Sequence, residues 1–300
     1  MHFWMMKSPS ENNFLELAAP GVRALQPYQP GKPVEELERE FGIRDAIKLA
    51  SNENPDGPID AVREAIIAAA ATVNRYADHG AVEVRIALAE MLGVDADRVT
   101  VGNGSVGLLQ QLLLTYAEAG DEVVYPWRSF EAYPVYTQLV GATAVTTPLV
   151  DHAFDLDAVA SAVTPRTKLI LLASPNNPTG TALDVGSIRR LLAAVPDDVV
   201  VVVDEAYREF MDTSFGDPVH ELQPAHRNLV VLRTFSKAHG LAALRLGYLI
   251  GDPQLVAMID KTLVPFAVNG IVQAAALAAI GAMDEIRARV ATILEERERA

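Results

Sequence analysis

A lysine stands in an unusual setting in the stretch T-F-S-K-A-H-G-L-A-A-L-R-L-G-Y, residues 234–248. Lys237 follows the apolar run 229–232 and precedes a segment of Ala, Gly and Leu. Apolar surroundings lower the pKa of a lysine and free its amine for Schiff-base chemistry with an aldehyde. Ser236 and Arg245 flank the lysine, and a hydroxyl and a guanidinium suit a phosphate group. The alternative interpretation is an ordinary surface lysine that follows a strand.

An aspartate ends the apolar run in V-V-V-V-D-E-A-Y, residues 200–207. Five valines at 199–203 are typical of a strand buried on both faces of a parallel sheet. Ligands of such sheets bind beyond the carboxyl ends of the strands, which places Asp204 at a candidate site. A carboxylate there needs a cation or a hydrogen-bond donor. A helix N-cap is the alternative role for Asp204.

The loop S-P-N-N-P-T-G, residues 174–180, follows another apolar strand, predicted at 167–173. Asn, Pro and Gly are turn formers, so a plain turn is one interpretation. A turn needs only one or two such residues, however. Asn176 and Asn177 are fixed between two prolines at the same predicted sheet edge as Asp204, which favours a rigid ligand clamp.

A glycine-rich turn lies in V-G-N-G-S-V-G-L, residues 101–108, between a predicted strand and a predicted helix. Free amides and the dipole at a helix N-terminus can bind a phosphate near Asn103. Residues 102–107 also satisfy G-x-G-x-x-G, the dinucleotide fingerprint. That pattern requires an acid about 20 residues further on, after the next strand. Asp121 and Glu122 instead precede that strand, so the fingerprint lacks the residue that would make it specific.

Strands and helices alternate through most of the chain. We expect strands at 47–50, 98–101, 122–125, 143–147, 167–173, 199–203, 229–232 and 245–250. We expect helices at 34–41, 60–71 (with Asp60 as the cap), 81–92, 106–117, 130–139 and 187–194, and one long helix from 269. This alternation predicts an α/β fold, with a mostly parallel sheet between two layers of helices.

Composition excludes several classes of function. The 300 residues carry a net charge of −14, which argues against binding to nucleic acid or to anionic membranes. The Cys count is zero, which excludes disulfides, thiolate metal sites and a cysteine nucleophile. We expect no metal site. The first residues lack a signal-peptide pattern, and no apolar run reaches the length of a membrane span, so a soluble cytoplasmic protein is expected.

Four motifs together, G-N-G-S, S-P-N-N-P-T-G, D-E-A-Y and T-F-S-K-A-H-G-L-A-A-L-R-L-G-Y, resemble those of the fold-type I pyridoxal-phosphate aminotransferases. The chain is similar to the histidinol-phosphate aminotransferase group. Within that group it resembles the aromatic-amino-acid (phenylalanine) aminotransferases through W-R-S-F-E-A-Y-P and V-N-R-Y-A-D. The resemblance covers residues 24–300, and the four motifs in this order are highly specific.

The resemblance implies pyridoxal 5′-phosphate as cofactor, with an imine bond to Lys237 and the pyridinium nitrogen paired with Asp204. Lys237 would also move the proton between the substrate Cα and the cofactor. The remaining implied roles follow. Asn177 and Tyr207 bind the phenolic oxygen, and Asn177 also contacts substrate; Asn103, Gly104, Ser236 and Arg245 bind the phosphate; Phe130 stacks on the ring; Tyr28 helps close the substrate pocket; and Tyr76 reaches the phosphate in the neighbouring subunit of a homodimer. Relatives often have Tyr where this chain has Phe130.

The resemblance also implies a domain organisation. Residues 1–45 would form an N-terminal arm and part of a small domain, 46–268 the large cofactor-binding domain, and 269–300 a linker helix and the start of the C-terminal small domain. Family members bind the substrate carboxylate with an arginine of that small domain, and no arginine before position 300 matches that motif. We therefore expect the sequence to be a truncated form.

The implied function is transfer of an amino group between an aromatic amino acid and 2-oxoglutarate by a ping-pong cycle. Histidinol phosphate is the alternative substrate, because it also presents a flat ring. A Rossmann-type NAD(P) protein is a distant alternative that rests on Gly102, Gly104 and Gly107. A non-catalytic binding protein is a third possibility.

Overall fold

A computed structural model describes residues 14–26 and 31–299. The prediction for Tyr28 lies outside the described residues. The α-helices are Phe14–Leu17 (α1), Pro20–Arg23 (α2), Val34–Phe41 (α3), Asp60–Ala69 (α4), Val82–Leu92 (α5), Gly104–Tyr116 (α6), Ala132–Leu139 (α7), Leu156–Ser161 (α8), Val185–Ala194 (α9), Pro218–Glu221 (α10), Pro253–Asp260 (α11), Gly270–Gly281 (α12) and Met283–Arg299 (α13). Short 3-10 helices span Ala70–Thr72, Ala96–Arg98, Arg208–Phe210, Thr213–Phe215 and Ala242–Leu244.

One eight-stranded sheet organises the described chain. Its strands are Val99–Asn103 (β1), Glu122–Trp127 (β2), Thr143–Val150 (β3), Ala153–Phe154 (β4), Thr167–Ala173 (β5), Val200–Asp204 (β6), Leu229–Thr234 (β7) and Leu246–Ile250 (β8). The order is β1-β8-β7-β6-β5-β2-β3-β4. Strands β3, β2, β5, β6 and β7 pair in parallel, whereas β8 is antiparallel to both β1 and β7. The prediction of a mostly parallel sheet is confirmed.

Helices cover both faces of the sheet because the central strands are apolar on both faces. Along β5, Ile170 and Leu172 pack into one core, which includes residues of α4, α5, α9 and α12. Leu169 and Leu171 point to the other face and pack into a second core, which includes residues of α6, α7 and α11. Alternate side chains of a strand point to opposite faces, so one continuous apolar strand supplies two cores. The result is the predicted three-layer α/β/α arrangement.

Three local predictions are wrong. Residues 47–50 form no strand, and Ile47 and Leu49 are exposed, because the segment pairs with no strand in the described part of the chain. Asp60 does not cap α4: Ile59 is the N-cap, and the Asp60 carboxylate lies 3.0 Å from Arg63. The helix from 269 is interrupted at Ala282, whose φ of −118° and ψ of 30° depart from helical values.

The topology brings several predicted site residues to one edge of the sheet. Asp204 is the last residue of β6 and pairs in register with Ala173 at the end of β5. Strand β8 runs antiparallel to its neighbours, so its first residue, Leu246, pairs with Asn103 at the end of β1. Arg245 comes directly before β8 and therefore lies at the same edge as Asp204. Residues far apart in the sequence meet there because parallel strands end together.

The approach of β8 to the start of α6 generates a test of this packing. A Cβ added to Gly247 would overlap the backbone of Gly104 and Ser105. We expect Gly247→Ala to lower the free energy of unfolding by about 1–3 kcal/mol, because overpacking against rigid backbone cannot relax easily. Urea denaturation measures the change. Gly281→Ala is the control, since nothing lies within 4 Å of its added Cβ; equal stability of the two variants would contradict the packing described.

Candidate active site

A cavity of about 380 Å³ opens at the carboxyl edge of the sheet. Strand ends of the sheet and the loops that follow them form most of its lining. The lining residues are Ser51, Glu53, Ser105, Phe130, Ala173, Pro175, Asn177, Asp204, Ala206, Tyr207, Thr234, Ser236, Lys237, Ala242, Ala243 and Arg245. Seven of the residues singled out in the sequence therefore surround one space, although they derive from positions 130 to 245.

Lys237 lies in the loop after β7, and its side chain is half-buried in this cavity. Burial lowers the pKa of the amine, and the nearby Arg245 charge lowers it further, while Glu53 and Asp204 oppose the shift. The Nζ atom donates hydrogen bonds to the carbonyl oxygens of Ser51, at 2.9 Å, and Asn52, at 3.1 Å. A depressed pKa increases the fraction of neutral, nucleophilic amine. The burial expected from the apolar sequence around Lys237 therefore lowers the pKa of its amine.

Asp204 is buried at the end of β6, with 5% of its surface exposed. Its Oδ1 atom accepts a hydrogen bond from the backbone N–H of Ala206 at 3.2 Å. Burial raises the pKa of Asp204 to about 7, against the opposing effect of that hydrogen bond. A carboxylate in this position is stabilised by a cation or an N–H⁺ group that enters the cavity. The N-cap role is not the one observed, since no α-helix begins after β6 until Pro218 in the described chain.

A cationic, hydroxyl-bearing group of side chains also lines the cavity. Arg245 donates from Nη1 to Ser236 Oγ at 3.3 Å and to the Ala242 carbonyl at 3.0 Å. Gly104 begins α6 with a φ of +75°, and a Cβ there would overlap the Arg245 guanidinium. Glycine adopts this positive φ without strain and leaves room for the guanidinium where it lies. The helix N-terminus, the guanidinium and the hydroxyls thus form a cradle for a phosphate.

Sequence reasoning missed Ser105, the second residue of α6, which lines the cavity while the predicted Asn103 and Gly104 do not. The signal was present in G-N-G-S, where a hydroxyl follows the glycine in the first turn of a helix. Asn103 is the N-cap of α6, but its side chain makes no capping hydrogen bond. Gly104 nevertheless lies against the Arg245 guanidinium, and Asn103 directly precedes Gly104 in the chain.

The two asparagines of the 174–180 loop have different environments. Asn176 is buried, and its amide binds the protein itself: Oδ1 accepts from Ser129 Oγ at 2.8 Å, and Nδ2 donates to the Arg128 carbonyl at 3.2 Å. Asn177 lines the cavity beside Phe130. One asparagine thus fixes the loop to the segment after β2, and the other is left for a ligand.

Aromatic residues complete the walls. Phe130 lines the cavity and contacts Tyr133 edge-on, with ring centroids 5.7 Å apart. The Tyr207 hydroxyl accepts a hydrogen bond from Asn52 Nδ2 at 2.9 Å, and Lys237 Nζ lies 5.6 Å from the centre of the Tyr207 ring. Tyr76 lies away from this lining; it is 83% exposed and stacks on Phe266 at 4.5 Å.

A buried ion cluster lies directly behind Asp204 and was not predicted. Glu205 and Arg233 are 2% and 5% exposed, and Arg233 Nε donates to Glu205 Oε2 at 2.9 Å. Arg233 also donates to Asp217 Oδ1 at 2.9 Å. Burial raises the pKa of Glu205, and the charge of Arg233 opposes that shift. An arginine inside the apolar run L-V-V-L-R-T was the signal in the sequence.

The dinucleotide alternative conflicts with the topology. In a Rossmann unit, the strand before the glycine turn pairs in parallel with the next strand. Here β1 pairs with β8 in an antiparallel manner, and β2 lies four strands further along the sheet than β8. Gly102 serves packing instead, because an added Cβ would meet Leu108 at 2.8 Å.

The cavity therefore has the donor set of a pyridoxal-phosphate site: an amine of lowered pKa, a buried carboxylate, an anion cradle and an aromatic wall. The profile of the family described as Aminotransferase class I and II matches residues 44–300. The chain belongs to this family. It is thus a pyridoxal-phosphate-dependent transaminase of fold type I, and the resemblance seen in the motifs is confirmed.

Relatives of two kinds agree with this assignment. The chain is 51% identical over 277 residues to an aromatic amino acid aminotransferase of Thermobifida fusca, covering 92% of this chain and 76% of the relative. It is 48% identical over 282 residues to one of Mycobacterium tuberculosis, covering 93% and 77%. A crystal structure of histidinol-phosphate aminotransferase from Sinorhizobium meliloti in complex with pyridoxal-5′-phosphate has a TM-score of 0.87 and 32% identity, covering 94% of this chain and 76% of that one.

In the described residues, no helix combines the length and the apolar character needed to cross a membrane.

The raised pKa of Asp204 predicts a pH-dependent stability of the cofactor-free protein. Because the pKa is about 7 in the folded state and ordinarily 3.8, the folded protein holds a proton there that the unfolded chain releases. The resulting stabilisation is present below about pH 4 and is lost as the pH rises towards 7. We expect wild type to lose roughly 2–3 kcal/mol relative to Asp204→Asn between pH 5 and pH 8.

Urea denaturation of both cofactor-free proteins at the two pH values measures this difference. Asn has the size of Asp and does not titrate, so it is the matched reference. A stability difference that stays constant with pH would show that Asp204 keeps an ordinary pKa.

Proposed function

We propose that this transaminase moves an amino group between an aromatic amino acid and 2-oxoglutarate. The observation that carries the proposal is the meeting of Lys237, Asp204 and Arg245 around one cavity. The relatives at 48–51% identity, which are named aromatic amino acid aminotransferases, support the aromatic substrate. The apolar and aromatic side chains of Phe130 and Tyr207 on the cavity wall are compatible with a flat ring.

Nine residues of this chain, besides Lys237, would hold the cofactor. The Arg245 guanidinium, the hydroxyls of Ser236 and Ser105, and the amides of Asn103 and Gly104 would bind the phosphate. The carboxylate of Asp204 would keep the ring nitrogen protonated, since a cation beside it offsets the cost of its burial. Asn177 and Tyr207 would donate hydrogen bonds to the phenolic oxygen. Phe130 would stack on the ring.

When bound, pyridoxal phosphate supplies a protonated pyridine ring that withdraws electrons from the substrate Cα, which protein side chains cannot do. Lys237 Nζ would hold the cofactor aldehyde, then take a proton from Cα and return one during transfer. Its lowered pKa suits it to act as a base near neutral pH. To reach the substrate, Nζ exchanges its hydrogen bonds to Ser51 and Asn52 for these partners.

A homodimer belongs to the same proposal. Tyr76 is exposed beside Phe266, and Val73 and Val264 are also exposed at 65% and 62%. An exposed, stacked aromatic pair such as Tyr76 and Phe266 is compatible with a surface that contacts another protein. We propose that Tyr76 reaches the cofactor phosphate of a second copy.

We also propose a cytoplasmic location. The domain limits at residues 45 and 268 stay predictions.

Removal of the lysine amine tests the chemistry. We expect Lys237→Ala to lose the yellow, borohydride-reducible absorbance band of the loaded protein and to reduce amino transfer roughly 100- to 10,000-fold, because the base and the covalent link are lost together. Absorbance before and after borohydride addition is the measurement. Lys261→Ala removes an exposed lysine outside the cavity and should leave both properties unchanged. A fully active Lys237→Ala protein would support a non-catalytic binding role instead.

Turnover on two donors tests the substrate. Histidinol phosphate is the second candidate, because the solved structure with a TM-score of 0.87 is a histidinol-phosphate aminotransferase. We expect kcat/KM with phenylalanine and 2-oxoglutarate to exceed kcat/KM with histidinol phosphate by at least about tenfold, the effect of one well-made contact. Coupled glutamate detection measures both reactions. A preference for histidinol phosphate would replace the aromatic substrate in this proposal.

A further inference from the structure

A second cavity, of about 430 Å³, adjoins the first. Four residues line both: Ser51, Phe130, Asn177 and Lys237. The second cavity lacks Asp204 and Arg245, the groups that would hold the ring nitrogen and the phosphate of the cofactor. A substrate whose reacting carbon lies at the Lys237 amine therefore has the second cavity available for the part of the molecule that extends away from the cofactor.

Arg128 supplies a positive charge to this second cavity. Arg128 and Lys237 are the basic side chains among the described residues that line it, and Glu131 is the acidic one. Arg128 Nη1 lies 3.5 Å from Glu131 Oε1, with both side chains about 60% exposed. An exposed ion pair of this kind contributes little free energy, so an incoming anion can replace Glu131 at small cost.

The guanidinium of Arg128 is oriented by its neighbours. Its central carbon lies 4.8 Å from the centre of the Trp127 ring, within cation–π distance. The Arg128 carbonyl accepts a hydrogen bond from the buried Asn176, which also binds Ser129. The side chain therefore extends from a fixed backbone and lies against a flat support. A guanidinium held in this way can bind an oxyanion through two parallel hydrogen bonds.

We propose that Arg128 binds the distal oxyanion of the amino acceptor and so selects dicarboxylic over monocarboxylic 2-oxo acids. The inference rests on the proposed transamination and assigns to it a specificity residue in the second cavity. An aromatic amino acid has no distal charge, and Arg128 keeps its contacts with Glu131 and Trp127 while such a donor reacts. A phosphonate would satisfy the same guanidinium, so carboxylate and phosphonate acceptors are compared directly.

The test uses two acceptors of equal length, 2-oxoglutarate and 2-oxopentanoate, which differ only in the distal carboxylate. Phenylalanine is the amino donor. We expect Arg128→Gln to reduce the ratio of their kcat/KM values roughly tenfold, because one charge-assisted contact is lost. Arg128→Lys should restore part of the ratio, since it keeps the charge but loses the planar fork. An unchanged ratio in Arg128→Gln would overturn the proposal.

Two control variants separate this contact from general effects of charge. Arg287→Gln removes an arginine on α13 that pairs with Asp284, outside both cavities, and should leave the ratio unchanged. Glu131→Gln frees Arg128 from its ion pair and should hold or raise the ratio. A fall in the ratio in either variant would show that the preference depends on something other than Arg128, and would also overturn the proposal.

Binding to the pyridoxal-loaded protein gives a readout that does not require turnover, because this form has no amino group to donate to an oxo acid. Calorimetric titration should show 2-oxoglutarate losing about tenfold in affinity in Arg128→Gln, with 2-oxopentanoate unaffected. Equal losses for both would overturn the role. Titration with 2-oxo-4-phosphonobutanoate tests the distal oxyanion directly: this phosphonate should also lose affinity in Arg128→Gln, and an unchanged affinity would overturn the proposal. If the wild type transferred no amino group at all, the proposed function would fail while this binding difference stayed measurable.

Discussion

The free-energy cost of the Asp204 carboxylate at the end of an apolar strand is the constraint on which the site depends. The strand before it consists of valines buried on both faces, and the charge is 5% exposed. Such a charge is expensive unless a cation or an N–H⁺ group meets it. The Ala206 amide gives one hydrogen bond, which is too little to hold the pKa at its ordinary value. The site therefore requires a partner for Asp204, which the ring nitrogen of the cofactor would supply in the proposed function.

The buried ion cluster behind Asp204 prevents a second uncompensated negative charge beside it. Glu205 lies next to Asp204 in sequence, and an unpaired carboxylate there would raise the pKa of Asp204 further. Arg233, on the adjacent strand β7, neutralises Glu205 and also binds Asp217. Breaking such a buried pair by removal of one partner usually destabilises a protein by several kcal/mol. Stability and the electrostatics of the site are therefore coupled through the same two strands.

The fold and most of the site could be predicted because both depend on strong local patterns. Continuous apolar strands such as 167–173 require a sheet covered on both faces, and Asp204 and Lys237 stand out because each interrupts an apolar run. What could not be predicted depends on contacts between distant segments. No local pattern distinguishes Asn176, which binds the segment after β2, from Asn177, which lines the cavity; the family resemblance alone pointed to Asn177. The 47–50 segment has the composition of a strand but pairs with no strand among the residues that the structure describes.

The position of Lys237 at the junction of two cavities would allow one amine to serve both cofactor and substrate. Its hydrogen bonds to the carbonyls of Ser51 and Asn52 are exchangeable, since each contributes only about 1 kcal/mol net of hydration. Of the groups that would bind ligands, Asp204 and Arg245 line the first cavity and Arg128 lines the second. A ping-pong enzyme must bind two different substrates in turn at one reactive centre. A lysine that lines both cavities would meet that requirement without movement of the sheet, if the first holds the cofactor and the second the distal part of the acceptor, as proposed.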